Sequence, residues 1–271
     1  MGSVLQASSA SDWRRPLPEN TLYLQLESGR VVFELAADFA PNHIANIRKL
    51  VAAKYFDGLA IVRSQDNYVV QWGDPKSGDQ TAMRSLGNAA AMLEAEFYRD
   101  AQGLAFNKIE SNDAYADEVG FVDGFPAGSD GEDTWLAHCF GMLGVGRANS
   151  PASGNGAELY VVTGHAPRHL DRNVTLIGRV IDGMELLTTL PRGTGPLGFY
   201  EAEDEYVPIT SIRFGSEIPA NDRLKIEILR ADTETFNDLV TARSYRAEEW
   251  FVEPSGRIGL CNVPLPSRSM E

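Results

Sequence analysis

The chain has 271 residues, 43% of them apolar, so it can bury a core of one large domain or a domain plus an extension. Its formal charge of −14 and pI near 4.7 exclude the excess of Lys and Arg that nucleic-acid or anionic-membrane binding requires. No run of 18 or more apolar residues marks a transmembrane helix.

Residues 1–20 are small, polar and proline-containing and lack the apolar region of a secretory signal, so they read as a flexible N-terminal segment. TLYLQLESGRVVFEL alternates apolar and polar residues around Glu27-Ser28-Gly29 and predicts a β-hairpin. In PNHIANIRKLVAAKYF, Pro41 suits a first helical turn, and Ile44, Ile47, Leu50 and Val51 recur at helical spacing. That predicts an amphipathic helix over 41–55, with Gly58 closing the turn after it.

LAIVRS and YVVQWG predict a second hairpin. With Gln65 to Asn67 as its loop, Ser64 faces Tyr68, Arg63 faces Val69, and the period of two puts Gln71 on the face of Arg63. Burying a guanidinium or an amide unpaired costs a few kcal/mol, about 1–3 for an amide-like group. The two are therefore read as a pair, structural or working.

Residues 75–137 lose the alternation and read as a long excursion: KSGDQ, YADE and FPAGSDGEDT as loop, AAAMLEAEFYRD as helix. GMLGVGR, AELYVVTG and VTLIGRVIDG return to strand character, MELLTTL is a short helix and ITSIRFGSEI a last strand. LKIEILRADTETFNDLVTARSYRAEEWF reads as a strand and then a helix starting near Asp232 or Thr233. Many short antiparallel strands with few helices predict a mainly β, α+β barrel or sandwich rather than a doubly wound sheet.

Several chemistries fail on spacing. His165 and His169 are separated by Pro167, which breaks a helical zinc pair, and the acidic stretch 110–133 lacks the spacing of a calcium loop, so no metal is expected. No G-x-S-x-G and no G-x-G-x-x-G occurs, which removes the nucleophile elbow and the dinucleotide fingerprint. No cofactor is expected. Cys139 and Cys261 fit no metal spacing; they are either two buried thiols or one disulfide.

Four segments in order carry a resemblance. ESGRVVFELAADFAPNHIANIRKLVAAKYFDGLAIVR, YVVQWGDP, GMLGVGRAN and GNGAELYVVTGHAPRHLDRNVTLIGRVIDGME are similar to the cyclophilin-type peptidyl-prolyl isomerases over about residues 21–218. EEWFVEPSGRIGLCNVPLP resembles the C-terminal extension of a bacterial branch. The resemblance implies an eight-stranded antiparallel barrel capped by two helices, spanning 21–218 with 75–137 inserted, and an extension over 219–271 packed on it. It also implies cis-trans isomerisation of X-Pro bonds in polypeptide substrates, with a non-catalytic proline-peptide-binding or chaperone module as the alternative.

Residue by residue, Arg63 matches the family's catalytic arginine and Gln71 the glutamine that holds it. Tyr68, Val69, Tyr160 and Leu170 match the wall of the proline pocket. Glu158 stands at the family's glutamine, Arg147 at its asparagine, Val174 at its histidine, and His169 where Trp or His is usual. The expectation is that Glu158 lies near Arg63 and weakens it by pairing, that Arg147 can fill the groove, and that activity is present but reduced. The branch further implies a periplasmic location, with the cytoplasm as alternative; a monomer with no nucleic-acid partner and no membrane insertion is expected.

Overall fold

The computed structural model describes residues 2–270. Residues 17–97 and 138–224 make one compact unit; residues 2–16, 98–137 and 225–270 make another.

The first unit is a closed barrel of eight antiparallel strands. In chain order they are β1 (Thr21–Leu26), β2 (Gly29–Leu35), β3 (Ala60–Ser64), β4 (Val69–Gly73), β5 (Met142–Val145), β6 (Leu159–Val162), β7 (Leu176–Asp182) and β8 (Val207–Phe214). They neighbour one another as β5-β6-β4-β3-β8-β1-β2-β7, with β7 closing onto β5. Closure removes every exposed strand edge, which is why eight short strands suffice. Leu22, Leu24, Phe33, Ile61, Trp72, Leu159, Val161, Ile177 and Phe214 fill the core, and the Phe33 and Trp72 rings lie 5.9 Å apart. Fully burying each such side chain stabilises the fold by about 1.5–3 kcal/mol.

Two helices, α1 (Pro41–Ala52) and α2 (Met184–Thr188), belong to this unit. In α1, Ile44, Ile47, Leu50 and Val51 are buried as their spacing predicts. The helix stops at Ala52, short of residue 55, because Lys54 turns left-handed (φ 55°) and the Tyr55 N–H reaches back to the Leu50 carbonyl. Its N-terminus is capped from outside: the Glu96 carboxylate accepts from the N–H groups of Asn42 and His43, both at 2.9 Å. A carboxylate there meets orphan donors and the positive end of the helix dipole.

AAAMLEAEFYRD forms no helix. Its polar groups are taken by tertiary partners instead: Asn46 bonds both the N–H and the carbonyl of Ala90, the Leu93 N–H donates to Ala152, and Glu96 caps α1. The excursion departs from expectation further on as well, for residues 98–137 carry five short strands. Arg99–Asp100, Asp133–Leu136, Phe125–Ser129, Glu118–Val122 and Asn107–Lys108 form one sheet in that order. Asp123 and Gly124, both at positive φ, make the two-residue turn between Val122 and Phe125.

The boundaries of the units also differ from those expected. Residues 75–97 go with the barrel, whereas 98–137 share a unit with the C-terminal residues and with the N-terminal segment expected to be flexible. Pairing explains the grouping: Trp13–Arg14 and Ser267–Ser269 flank the strand Ile226–Leu229, and Phe121 packs edge-on against Phe236 at 5.1 Å. Phe236 lies on the helix Glu234–Tyr245, whose N-cap Thr233 accepts from the Phe236 N–H at 3.2 Å. Among the described residues no helix is long and apolar enough to cross a membrane.

Candidate functional site

The hairpin of β3 and β4 supplies the two polar residues. Its register differs by two from expectation: Arg63 lies directly opposite Gln71, and Ser64 opposite Val70. Two local features cause the shift. The pairing slips between Ile61 and Arg63, and the Gln65 N–H donates to the Val69 carbonyl, so the loop is Asp66 to Tyr68 with Asn67 left-handed (φ 51°). Asn tolerates that conformation, and its side-chain oxygen accepts from the His165 N–H at 2.8 Å.

Arg63 is half-buried and held on every side. Its Nη1 donates to Gln71 Oε1 at 3.1 Å, its Nη2 donates to Gln65 Oε1, and its Nε donates to the Leu197 carbonyl at 2.8 Å. The guanidinium sits 5.1 Å from the Phe199 ring centre and 5.7 Å from that of Tyr68. A guanidinium has five N–H donors, so this clamp leaves others to point outward. Burial lowers the Arg63 pKa, which still leaves it a cation at any physiological pH.

Beside it opens a cavity of about 350 Å³. Tyr68, Val69, Tyr160, Leu170 and Val174 line it together with Arg63, Gln71 and Arg147, so all but one of the predicted site residues converge. Glu158 is the exception: it does not line the cavity but sits behind Gln71, accepting from Gln71 Nε2 at 3.0 Å. Among the described residues no carboxylate pairs with Arg63. The expected ion pair is therefore replaced by a relay through an amide.

Arg147 does not fill the groove. Its side chain is turned onto neighbouring backbone, with Nε donating to Asn173 O at 2.8 Å and Nη1 to Ala148 O at 2.8 Å and Asn149 O at 3.2 Å on its own loop. Gly146, Ala148 and Asn149 leave a rim of loop backbone beside the cavity. On the other rim His169 stacks on Tyr68, rings 6.4 Å apart and 7° from parallel.

Tyr160 carries a buried network that the sequence did not disclose. His138 is fully buried; its Nδ1 lies 2.9 Å from Asp171 Oδ1 and its Nε2 lies 2.8 Å from the Tyr160 hydroxyl. A carboxylate only accepts, so Nδ1 holds the proton; burial lowers the His138 pKa and keeps the ring neutral, so Nε2 accepts from Tyr160. Arg168 Nε completes the chain by donating to Asp171 Oδ2 at 2.5 Å. The hydroxyl thus points away from the cavity, and Tyr160 presents a ring edge as apolar as phenylalanine.

Of the contributors missed in the sequence, Gln65 was within reach, two residues from Arg63 on the same strand face. Leu197 and Phe199 were not, being far away in the chain. Among the described residues no group of three or more His, Cys, Asp or Glu is placed to hold a metal. Chemically, the arrangement offers a fixed cation with spare donors beside a cavity one wall of which, Val69, Tyr160, Leu170 and Val174, is apolar or aromatic.

The comparisons agree on the kind of protein this chain resembles. Residues 21–213 match the family model described as cyclophilin type peptidyl-prolyl cis-trans isomerase/CLD. A "Probable peptidyl-prolyl cis-trans isomerase" of Brucella suis is 27% identical over 197 residues, covering 70% of this chain and 79% of that protein. "Peptidyl-prolyl cis-trans isomerase CYP18-1" of Arabidopsis thaliana is 27% identical over 177 residues, covering 65% and 84%. The crystal structure of cyclophilin AquaCyp293 from Hirschia baltica superposes with a TM-score of 0.71 at 25% identity, covering 94% of this chain and 92% of that one.

Proposed function

This chain belongs to the cyclophilin-type peptidyl-prolyl cis-trans isomerase family, and on that premise we propose that Arg63 is the catalytic group and the adjoining cavity its proline site. The reaction is rotation about an X-Pro bond, and no bond is broken. Its barrier arises because the prolyl nitrogen lends its lone pair to the carbonyl, giving the C–N bond partial double-bond character. In the twisted transition state the nitrogen turns pyramidal and regains that lone pair. A cation with spare N–H donors beside the ring stabilises that state more than the planar amide, and such differential stabilisation is what raises a rate.

The single observation that supports this reading is the clamp on Arg63 at the mouth of the cavity. The guanidinium is fixed by Gln71, Gln65 and the Leu197 carbonyl, and among the described residues no carboxylate neutralises it by contact. Val69, Tyr160, Leu170, Val174 and Tyr68 receive the pyrrolidine ring, and the loop carrying Arg147 offers backbone groups to the flanking peptide. Gln71 acts on Arg63 and not on substrate. Proline-containing polypeptides are the substrates and assistance of folding is the role. Activity is lower than in relatives that keep a histidine at position 174, because Val174 has no donor to offer the peptide.

A protease-coupled assay on Ala-Pro and Phe-Pro peptides tests the assignment. Arg63→Ala is expected to lose on the order of 10²–10³-fold in turnover, the scale of a missing preorganised donor. Equal rates for wild type and Arg63→Ala refute it, and binding without accelerated exchange would support a peptide-binding module instead.

The location we propose is the periplasm of a bacterium, as a monomer. Its support is that neither cysteine is a free thiol, a state that oxidising compartments maintain. Fractionation of the native host that finds the protein in the cytosol would overturn this, and a dimer mass by light scattering would overturn the monomer.

A further inference from the structure

We propose that Glu158 is a positioning residue that fixes the amide of Gln71 and, through it, the plane of the Arg63 guanidinium. The proposal rests on the reading of Arg63 as the catalytic group.

Gln71 lies between two residues of opposite habit. Arg63 only donates and a carboxylate only accepts, whereas an amide has one end of each kind. With Nη1 of Arg63 at 3.1 Å from Gln71 Oε1, and Glu158 Oε2 at 3.0 Å from Gln71 Nε2, a single orientation of the amide satisfies both neighbours. Turned over, it would set N–H against N–H at one end and oxygen against oxygen at the other. The family's glutamine at position 158 would relax that constraint at one end, because a second amide can donate or accept and so no longer adds to what Arg63 alone demands of Gln71.

The surroundings give Glu158 a fixed seat. A Cβ at Gly73 would lie 2.8 Å from Glu158 Cγ, and one at Gly146 would lie 3.1 Å from Glu158 Cβ and 3.4 Å from Gln71 Nε2. Two glycines thus leave room for this side chain and for the amide it holds. β6 aligns the set, since Tyr160 lies directly opposite Gln71, which lies opposite Arg63. Glu158 stays outside the cavity, so it acts on Arg63 without competing for substrate. Of the acceptors on the guanidinium, the Leu197 carbonyl is backbone, while Gln71 and Gln65 can rotate. Locking Gln71 therefore removes one of the two freedoms that would let the guanidinium tilt.

The test is Glu158→Gln, with turnover and KM measured on an Ala-Pro peptide and the Arg63 Nε–H resonance followed by NMR. Turnover is expected to fall about three- to tenfold, the scale of one hydrogen bond, with KM changed less than about twofold. The Arg63 Nε–H signal should shift or broaden as the Gln71 amide, held from one end only, loosens. Unchanged turnover and an unchanged resonance, with Arg63→Ala still inactive, would overturn the role of Glu158 and leave the catalytic reading intact. Higher turnover in Glu158→Gln would overturn it too, since the carboxylate would then be a restraint. Wild type no faster than Arg63→Ala would overturn both. In the unmodified protein the Gln71 side-chain NH₂ should exchange slowly with solvent; rapid exchange would refute the proposal without any variant.

Discussion

Replacing Gly144 by alanine should damage the proline site from behind. Gly144 pairs with Tyr160 across β5 and β6, and a Cβ there would lie 2.3 Å from Tyr160 Cζ, 2.4 Å from its hydroxyl oxygen and 2.6 Å from Cε1. Carbon atoms settle near 3.5 Å, so the ring must retreat by roughly 1.2 Å, the difference of those two distances. Such a shift breaks the 2.8 Å bond to His138 Nε2 and drives the ring toward the cavity. Overpacking costs about 1–3 kcal/mol and an unsatisfied buried polar group about 1–3 kcal/mol, so a loss near 3 kcal/mol is expected. KM for a proline peptide should rise about tenfold, the equivalent of about 1.4 kcal/mol. The assays are a urea titration and isomerase kinetics, each repeated on a Tyr160→Val background. There the alanine should be neutral or stabilising, because glycine in a strand costs about 0.5–1 kcal/mol relative to alanine. An equal loss in both backgrounds would refute the clash, since residues in contact must couple.

Two further outcomes concern stability. Burial depresses the His138 pKa, so the unfolded chain takes up a proton that the folded one refuses. Stability is therefore complete above the unfolded value of 6.5 and falls as pH drops below it; His138→Asn should flatten the denaturation midpoints between pH 7 and 5, and an unaltered slope would count against the buried neutral ring. Thr233→Ala removes the cap on Glu234–Tyr245 and should cost about 1 kcal/mol, seen as faster hydrogen exchange in that helix before any change in isomerase activity. Lost activity with unchanged exchange would contradict it.

Much of the barrel was legible because its strands alternate and its turns carry turn residues. The meeting of Arg63 and Gln71 followed from a period of two, although the register was misjudged: a bulge and a left-handed Asn67 are cheap local choices that a pattern of apolar residues does not encode. Residues 89–100 illustrate the opposite failure. Ala, Leu, Met and Glu favour helix, yet Asn46, Ala152 and the end of α1 claim that backbone, and tertiary bonds outweigh a propensity of a few tenths of a kcal/mol per residue. In GFVDGFPAG the Asp-Gly pair between apolar runs is a hairpin signal in its own right. Leu197, Phe199 and the His138–Asp171 pair left no trace, since no sequence period links residues so far apart.

The two units also finish at different moments of synthesis. β8 completes the barrel at Phe214, and the groove draws on residues 63 to 199, so everything the site needs has been made 55 residues (269 minus 214) before the strand Ser267–Ser269 is finished. At about 5–20 residues per second that is an interval of roughly 3–11 s. The second unit has no such head start, because Ile226–Leu229 and Ser267–Ser269 belong to its smaller sheet. The order of the chain thus presents a complete barrel first, and the Trp13–Arg14 strand waits for its neighbour until Ile226–Leu229 has followed.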